Sequence, residues 1–299
     1  MNNSFKISII IPNYNGLSLL EKNLPYVVRA KNNKRNNILE IILVDDGSID
    51  SSVEFIKKNF KEIKIVKHKV NRGFSASVNT GARTARGDLL ALLNNDVLPS
   101  ANFLETAFSL FENPDVFAVS FNEKNYGGAI GYFENGFVGH RPSQKSTKAM
   151  ESFWANGGSG LFRREFWMKL GGMDEKLFSP FYWEDVDLCY RALKRGWLVL
   201  WNPSSKVVHN HESTIGKINK KYRENIQERG QLLFIWKNIT STNLFRKHLA
   251  GLVTRITKHP GYIKIFFMAL GKIGLVFKAR RKEIKESKIS DEAIFSKFR

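Results

Sequence analysis

Cysteine and long hydrophobic runs are scarce in this 299-residue chain. Cys189 is the one cysteine, which excludes an internal disulfide framework and fits a reducing compartment. The six-residue apolar stretch that ends at Pro12 is too short for a signal-peptide core or a membrane span. We therefore expect a cytoplasmic protein. With 42% hydrophobic residues, the chain has enough apolar side chains to fold.

Acidic residues are scarce in the carboxyl-terminal part. From Thr214 onward there are 20 Lys and Arg against 6 Asp and Glu, which gives +14 of the formal charge of +19. A basic segment of this kind can bind nucleic acid, anionic lipid or an acidic partner, and charge alone does not choose between them. Because no nucleic-acid reading motif accompanies it, we expect no nucleic-acid partner.

Short apolar runs that alternate with turns and helical periods predict the fold class. The runs cover residues 6–12, 40–44, 63–66 and 89–93. Strand, turn and helix, repeated three times, are typical of βαβ units, so we predict an α/β protein with a mostly parallel central sheet flanked by helices. Further helices are predicted over residues 101–111, 222–236 and 243–256, whereas residues 122–152 show little periodicity and receive no assignment.

Acidic residues stand at three predicted strand ends or helix starts. The run 89–93 stops at Asn94, Asn95 and Asp96, and two acid pairs, Asp45-Asp46 and Glu184-Asp185, follow the same pattern. Each has a structural explanation, either a turn or a helix amino terminus. The carboxyl edge of an α/β sheet is also where ligands bind. Because neither a G-x-G-x-x-G turn nor a P-loop is present, binding of a diphosphate at this edge would need a divalent metal.

Five segments in order resemble the motifs of family 2 glycosyltransferases, which have the GT-A fold. They are S8-I-I-I-P-N-Y-N15, V44-D-D-G-S48, N71-R-G73, L93-N-N-D96 and W183-E-D-V-D-L188. The resemblance covers residues 5 to about 213. It implies a GT-A nucleotide-sugar transferase domain over residues 1–213, followed by a helical, basic extension over residues 214–299.

The resemblance also implies site residues. The donor-binding positions are Pro12, Asn13, Asp45, Asp46, Asn71, Gly73, Asn94 and Asn95. Asp96 and His209 are the implied ligands of a Mg²⁺ or Mn²⁺ cofactor, and Asn94 stands where the family often has an acid. Within Glu184-Asp185 the resemblance implies that Asp185 is the general base.

Structural alternatives remain for several of these residues. Trp183 is the best candidate for acceptor binding in an aromatic cluster that is otherwise expected to be core. His209 and His211 can equally be core or exposed histidines, and Asp187 can be structural or catalytic. The two acids Glu184 and Asp185 can simply favour a helix start.

The carboxyl-terminal extension is expected to contain one amphipathic helix over residues 263–277. Lys272 interrupts its apolar stripe, which is shorter than the roughly 20 residues that a membrane span needs. A basic, aromatic-containing helix fits peripheral attachment to the anionic inner face of a membrane. The alternative is a helix that packs on the catalytic domain or in a dimer interface.

Together these features predict an inverting, metal-assisted transferase that moves a sugar from a UDP- or dTDP-linked donor to a hydroxyl of a glycan or lipid-linked acceptor. The Q-x-x-R-W motif of processive synthases is missing, so we expect single-sugar addition in cell-surface polysaccharide assembly. L92-L-N-N-D-V97 and W183-E-D-V-D-L188 resemble rhamnosyltransferase-like members. The alternatives are a nucleotidyltransferase and a catalytically inactive sugar- or lipid-binding scaffold.

Overall fold

The computed structural model describes residues 5–123, 127–209 and 218–298 and has α/β architecture. The strands are β1 Ile7–Asn13, β2 Ile38–Asp45, β3 Lys64–Lys67, β4 Leu89–Leu93, β5 Val97–Pro99, β6 Val116–Glu123, β7 Ala129–Glu134, β8 Phe137–Pro142, β9 Met150–Glu151, β10 Ser159–Arg163 and β11 Leu198–His209. The α-helices are α1 Leu17–Asn32, α2 Ser52–Asn59, α3 Phe74–Thr84, α4 Arg164–Leu170, α5 Glu184–Lys194, α6 Lys220–Asn238, α7 Thr242–Lys258, α8 Ile263–Leu270, α9 Ile273–Glu286 and α10 Asp291–Ser296.

The central sheet has the strand order β3-β2-β1-β4-β10-β6-β11-β5, with β9 paired to β11. The first four strands of this order pair in parallel, as predicted. β10 then inserts antiparallel between β4 and β6, whereas β6 and β11 are again parallel. The carboxyl ends of β1, β2, β4, β6 and β11 therefore face the same edge of the sheet.

Two hydrophobic cores lie on opposite faces of the sheet. Successive side chains of a strand point to opposite faces, so Ile9 and Ile10 of β1 belong to different cores. One core lies against α1 and α2. The other packs against α3, α4 and α5 and continues without interruption into α6, α7 and α10. The carboxyl-terminal helices thus share a core with the sheet.

The helix predicted over residues 101–111 is wrong. The segment forms turns and a short 3₁₀ helix, Phe108–Glu112. Its backbone groups bond to side chains elsewhere: the Ala101 carbonyl oxygen accepts hydrogen bonds from the Asn33 and Asn36 amides at 2.9 and 2.7 Å, and the Leu104 N–H donates to Asn36 Oδ1. These contacts replace the bonds that an α-helix would need.

The segment without assignment, residues 122–152, contains the antiparallel hairpin β7–β8. The sequence analysis also missed β10, a buried strand in the middle of the sheet. Its neighbours β4 and β6 are distant in sequence, so local periodicity does not reveal the pairing.

The carboxyl-terminal helices α6 and α7 confirm two predicted helices, but the single helix predicted over residues 263–277 is wrong. It is broken into α8 and α9, which are bent by 70°. Lys272 at the break donates from Nζ to the Leu177 carbonyl oxygen at 3.0 Å, which ties the bend to the sheet-bearing part of the chain. In the described ranges no single helix is long and apolar enough to cross a membrane, although this bent pair passes that test jointly.

Buried ion pairs join the carboxyl-terminal helices to α5. Lys194 Nζ lies 2.9 Å from Asp291 Oδ1, and both side chains are fully buried. Lys237 of α6 contacts Asp187 at 2.9 Å. The alternative that these helices pack on the catalytic part is therefore observed. The predicted boundary at residue 213 lies outside the described residues.

Candidate active site

Side chains at the carboxyl ends of β1, β2 and β4 form one hydrogen-bonded chain. Asn95 Nδ2 donates to Asn13 Oδ1 at 2.9 Å. Asn13 Nδ2 in turn donates to Asp45 Oδ1 at 3.4 Å, and the Asp45 carboxylate is fully buried. Pro12 precedes Asn13 and is half-buried. The parallel register, which pairs Asn13 with Asp45, places four of the predicted donor-binding residues side by side.

Asp46 holds the loop between β3 and α3. Its Oδ1 accepts the Arg72 N–H at 2.9 Å, and its Oδ2 accepts the Gly73 N–H at 2.8 Å. His68 Nδ1 lies 2.6 Å from the same Oδ1. The Asn71 side chain closes the turn through its own bond to the Gly73 N–H. Because both Asp46 oxygens accept hydrogen bonds from the protein, its observed role is to position this loop, whereas contact with a donor remains a prediction.

Asp96 and His209 meet at the same edge. Asp96 follows β4, His209 is the last residue of β11, and Asp96 Oδ1 lies 3.0 Å from His209 Nε2. On the other side of the imidazole, Nδ1 lies 2.9 Å from Glu123 Oε1. Burial opposes the charged imidazole, but the hydrogen bonds to Asp96 and Glu123 outweigh it and raise the pKa of His209 to about 9.

Glu123 is a site residue that the sequence analysis missed. It ends β6, is buried, and also accepts hydrogen bonds from Asn156 Nδ2 at 2.9 Å and from Ser159 Oγ. The signal was present, since an acid follows the apolar run of β6 just as Asp96 follows that of β4. Histidines that bind metals commonly have such a carboxylate on the second ring nitrogen.

The Asp96 and His209 pair fits a divalent metal that has further ligands from outside the protein. The Asp96 carboxylate is a donor of the kind that suits Mg²⁺ and Mn²⁺, and a bound ion would take the place of the proton between Asp96 Oδ1 and His209 Nε2, which lie 3.0 Å apart. Glu123 fixes the imidazole so that Nε2 faces Asp96. Within the described ranges no group of three His, Cys, Asp or Glu could hold a metal alone. The remaining ligands would be water or diphosphate oxygens.

Two glycines connect the metal side of the site to Asp185. The Gly157 N–H donates to Asp185 Oδ2 at 3.2 Å. Gly158 packs against Asn94, whose N–H donates to the Gly158 carbonyl oxygen at 2.8 Å. A methyl group on Gly158 would lie 2.4 Å from Asn94 Nδ2, so this approach requires glycine. Asn94 and Asp185 therefore lie on either side of one short segment.

Glu184 and Asp185 begin α5 and have no cationic partner among the described residues. Burial and the neighbouring Asp185 carboxylate raise the pKa of Glu184 well above its ordinary value. Burial also raises the pKa of Asp185, although the Gly157 and Val186 N–H groups oppose this shift. Carboxylates with raised pKa values at a ligand-binding edge are candidates for proton transfer.

Trp183 lies mainly in the core. It is 8% exposed and packs against Phe234 of α6, with ring centroids 5.1 Å apart. This burial leaves little ring surface for a sugar, and its acceptor role remains a prediction. Asp187 bonds to Arg191 and Lys237 and thus has a structural role, whereas His211 lies outside the described residues.

Comparisons with known proteins identify the class. A family model described as Glycosyl transferase family 2 matches residues 8–170. The chain therefore belongs to glycosyl transferase family 2. It is 27% identical over 186 residues to the pre-mycofactocin glycosyltransferase of Mycobacterium tuberculosis (strain CDC 1551 / Oshkosh). This match covers 59% of the chain but only 38% of that relative.

Solved structures are similar in fold. GalNAc-T7, crystallised with UDP, GalNAc and Mn²⁺, superposes with a TM-score of 0.65 at 18% identity, covering 87% of this chain and 58% of that one. A mannosyltransferase from Pyrobaculum calidifontis in complex with GDP-Man and Mn²⁺ gives a TM-score of 0.58 at 15% identity, covering 95% and 88%. The predicted GT-A fold is confirmed.

Proposed function

We propose that this protein is an inverting glycosyltransferase that moves one sugar from a nucleotide-diphosphate donor to a hydroxyl of a glycan or lipid-linked acceptor. The observation that carries the proposal is a continuous line of contacts along one sheet edge. It runs from Asp45 through Asn13 and Asn95 to the turn that holds Asp96, and from Asn94 through the adjacent glycines Gly158 and Gly157 to Asp185. This arrangement supports the proposal that the predicted nucleotide, metal and base residues act in one site.

Asp185 is the proposed general base. In an inverting transfer the acceptor hydroxyl attacks the anomeric carbon from the face opposite the leaving nucleotide, and it loses its proton as it attacks. Asp185 Oδ2 accepts that proton, while the Gly157 and Val186 N–H groups hold the carboxylate in place. A positioned base contributes roughly 10²- to 10⁴-fold to the rate. Glu184, the other predicted catalytic acid, precedes it in the chain, and the Asp185 carboxylate raises the pKa of Glu184.

Asp96 and His209 are the proposed protein ligands of Mg²⁺ or Mn²⁺. The bound ion would neutralise charge on the leaving diphosphate. Glu123 positions the imidazole, and Asn94 and Asn95, which precede Asp96, are proposed to contact the donor. Two solved neighbours contain Mn²⁺ together with a nucleotide, which supports a divalent cofactor for this chain.

The donor and the acceptor are proposed only as chemical classes. The motifs around Asp96 and Asp185 resemble those of rhamnosyltransferase-like members, which favours a UDP- or dTDP-linked hexose or deoxyhexose. Absence of the processive motif from the sequence favours addition of a single sugar during cell-surface polysaccharide assembly. The division into a transferase domain over residues 1–213 and a helical module over residues 214–299 is retained as a proposal.

We place the protein on the inner face of an anionic membrane, in contact with the cytoplasm. The support is a set of large, exposed apolar side chains on α7, α8 and α9. Basic residues lie between these apolar residues along the helices. These apolar residues are Leu249, Val253, Ile263, Phe267, Leu270, Leu275, Phe277 and Ile284. Since the same helices bury other residues against the core, attachment and packing use different faces of them.

The test is a donor panel of UDP-, dTDP- and GDP-sugars with Mg²⁺ and Mn²⁺. We expect one donor class to be hydrolysed slowly, with release of nucleoside diphosphate, and chelation to stop the reaction. A nucleotidyltransferase would instead be shown by a parallel assay with a nucleoside triphosphate and a sugar 1-phosphate, in which inorganic diphosphate is released. Failure of every donor to bind, with thermal stability indifferent to nucleotide and metal, would leave only the inactive scaffold.

A further inference from the structure

Arg229 on α6 is a buried guanidinium that has no acidic partner among the described residues. Its side chain is 9% exposed. The one acceptor within the described ranges is the Ser179 carbonyl oxygen, 2.6 Å from Nη2, and the Nε–H has none there. Burial lowers the pKa of Arg229, and no carboxylate of the described residues opposes that shift. A buried charge without a counter-ion is costly, so this position favours an anion that the described residues do not supply.

Arg229 lies between the two functional loops of the site. Its partner Ser179 approaches the loop that Asp46 holds, since a methyl group on Gly73 would be 4.0 Å from Ser179 Oγ. The next residue on α6, Gly230, packs directly against Trp183; a methyl group there would lie 2.6 Å from the indole Cδ1. Trp183 immediately precedes Glu184 and Asp185. The guanidinium is thus adjacent to segments that lead to the donor loop and to the general base.

A second cation reinforces the positive potential at this place. Lys272, at the break between α8 and α9, donates to the Leu177 carbonyl oxygen. Burial lowers the pKa of Lys272, and the nearby charge of Arg229 lowers it further. Asp174, the acid that opposes this shift, is already paired with Lys237 at 2.9 Å. Arg229 and Lys272 therefore both donate to carbonyl oxygens of residues 177–179, close to an acid that is already paired.

We propose that Arg229 binds a diphosphate group of a substrate, with its planar guanidinium donating to phosphate oxygens. The inference rests on the proposed function, because both a nucleotide-sugar donor and a lipid-linked acceptor can carry a diphosphate. Arginine suits this role because its fixed fork of N–H donors matches the geometry of phosphate oxygens. The site would make Arg229 a specificity residue that favours diphosphate-bearing substrates over neutral glycans.

The experiment is calorimetric titration of the full chain, with Mg²⁺ present, using three probes: inorganic diphosphate, the nucleoside diphosphates UDP, dTDP and GDP, and farnesyl diphosphate as a short lipid diphosphate. The variants are Arg229→Met and Arg229→Gln, and the matched control is Lys221→Met, an exposed cation on the same helix. We expect the Arg229 variants to bind inorganic diphosphate about 10- to 100-fold more weakly, and the control to be unchanged.

The probes distinguish the two sources of diphosphate. Weaker binding of a nucleoside diphosphate assigns the site to the donor, and weaker binding of farnesyl diphosphate alone assigns it to the acceptor. Arg229→Gln can still donate to Ser179, so it decides the question if Arg229→Met does not fold. Folded variants that bind every probe like the wild type would overturn the proposal, as would a wild type that gains no thermal stability from any diphosphate.

Because no turnover is needed, the outcome is separate from that of the transferase proposal. A protein that binds diphosphate through Arg229 but transfers no sugar contradicts the proposed function and keeps this inference. A protein that transfers sugar but whose affinity for diphosphate does not depend on Arg229 keeps the proposed function and contradicts this inference.

Discussion

Asp185 and Asp187 lie two residues apart on α5, yet their surroundings are opposite. Asp187 is fully buried and bonds to Arg191 Nε at 2.8 Å, to Lys237 Nζ at 2.9 Å and to Asn238 Nδ2 at 2.8 Å. Asp185 is half-buried and accepts only backbone N–H groups among the described residues. Asp187 joins two parts of the structure through cations, whereas each Asp185 oxygen accepts one backbone N–H and retains a second lone pair that can accept a proton.

The same contrast holds between two larger regions. At the interface with the carboxyl-terminal helices, the buried acids Asp187, Asp291 and Glu283 each face a lysine or arginine. At the sheet edge, Glu184 and Asp185 have raised pKa values because burial is not offset by a cation. Acids without a counter-ion among the described residues are typical of functional sites, which supports the sheet edge as the proposed functional region.

The largest effect is expected for Asp185→Asn. The amide can still accept the Gly157 N–H but cannot take a proton, so the transfer rate should fall by roughly 10² to 10⁴ while the melting temperature changes little. The measurement is single-turnover transfer together with thermal denaturation. If the variant retained wild-type activity, Asp185 would belong with Asp187 as a structural residue.

Asp187→Asn should show the opposite pattern, with the loss in stability. The substitution leaves the buried Lys237 and Arg191 charges poorly compensated, and breaking a buried ion pair from one side typically costs about 3–5 kcal/mol of unfolding free energy. Urea denaturation measures it. The matched control is Glu151→Gln, which removes the exposed Lys297–Glu151 pair and should cost less than about 1 kcal/mol. Equal losses in the two variants would refute the contrast.

Glu123→Gln tests whether the third acid at the edge positions His209. The amide can no longer hold the imidazole as a carboxylate does, so Mn²⁺ affinity in the presence of nucleotide should fall about 10- to 100-fold. Electron paramagnetic resonance of free Mn²⁺ reports binding without turnover. Glu134→Gln, an exposed acid on β7, is the control. Unchanged affinity would limit Glu123 to packing with Asn156 and Ser159.

The sheet edge could be predicted largely from the sequence because its signals are local. An apolar run that ends in Asp45 or Asp96 encodes both the buried strand and the polar residue at its carboxyl end, and the parallel order of β1, β2 and β4 brings such ends together. The structure brings Asp96 and His209, the two predicted metal ligands, to 3.0 Å from each other, while the metal itself stays a prediction.

The remaining features depend on contacts between distant segments. Glu123 gains its role only when β6 lies beside β11, and Asn36 prevents a helix at Leu104 from 68 residues away. The break between α8 and α9 depends on Lys272 reaching Leu177, a contact over 95 residues. Periodicity within a short window does not contain this information, so these predictions failed or were never made.

The pH dependence of transfer gives a smaller effect that bears on the same contrast. Burial raises the pKa of Asp185, and only the deprotonated carboxylate can accept a proton. As the pH is lowered, kcat/KM should therefore begin to fall at a pH above 3.8, the ordinary pKa of aspartate. Below the raised pKa of Asp185, each further pH unit should lower kcat/KM by up to about tenfold. A flat acid limb down to pH 4 would show that Asp185 is not the titrating base.

The smallest expected effect is on membrane binding by the exposed face of α7, α8 and α9 that carries the apolar residues named above. Lys278 is exposed beside Phe277, whose ring is 57% exposed. Each basic residue near an anionic bilayer contributes about 1 kcal/mol, so Lys278→Gln should weaken binding to phosphatidylserine vesicles about fivefold. Vesicle co-sedimentation at low and high salt measures it, with Lys58→Gln on the exposed face of α2 as the control. Since salt screens such contacts, binding that is equal on neutral and anionic vesicles would remove the electrostatic part of the membrane proposal and leave only the apolar face.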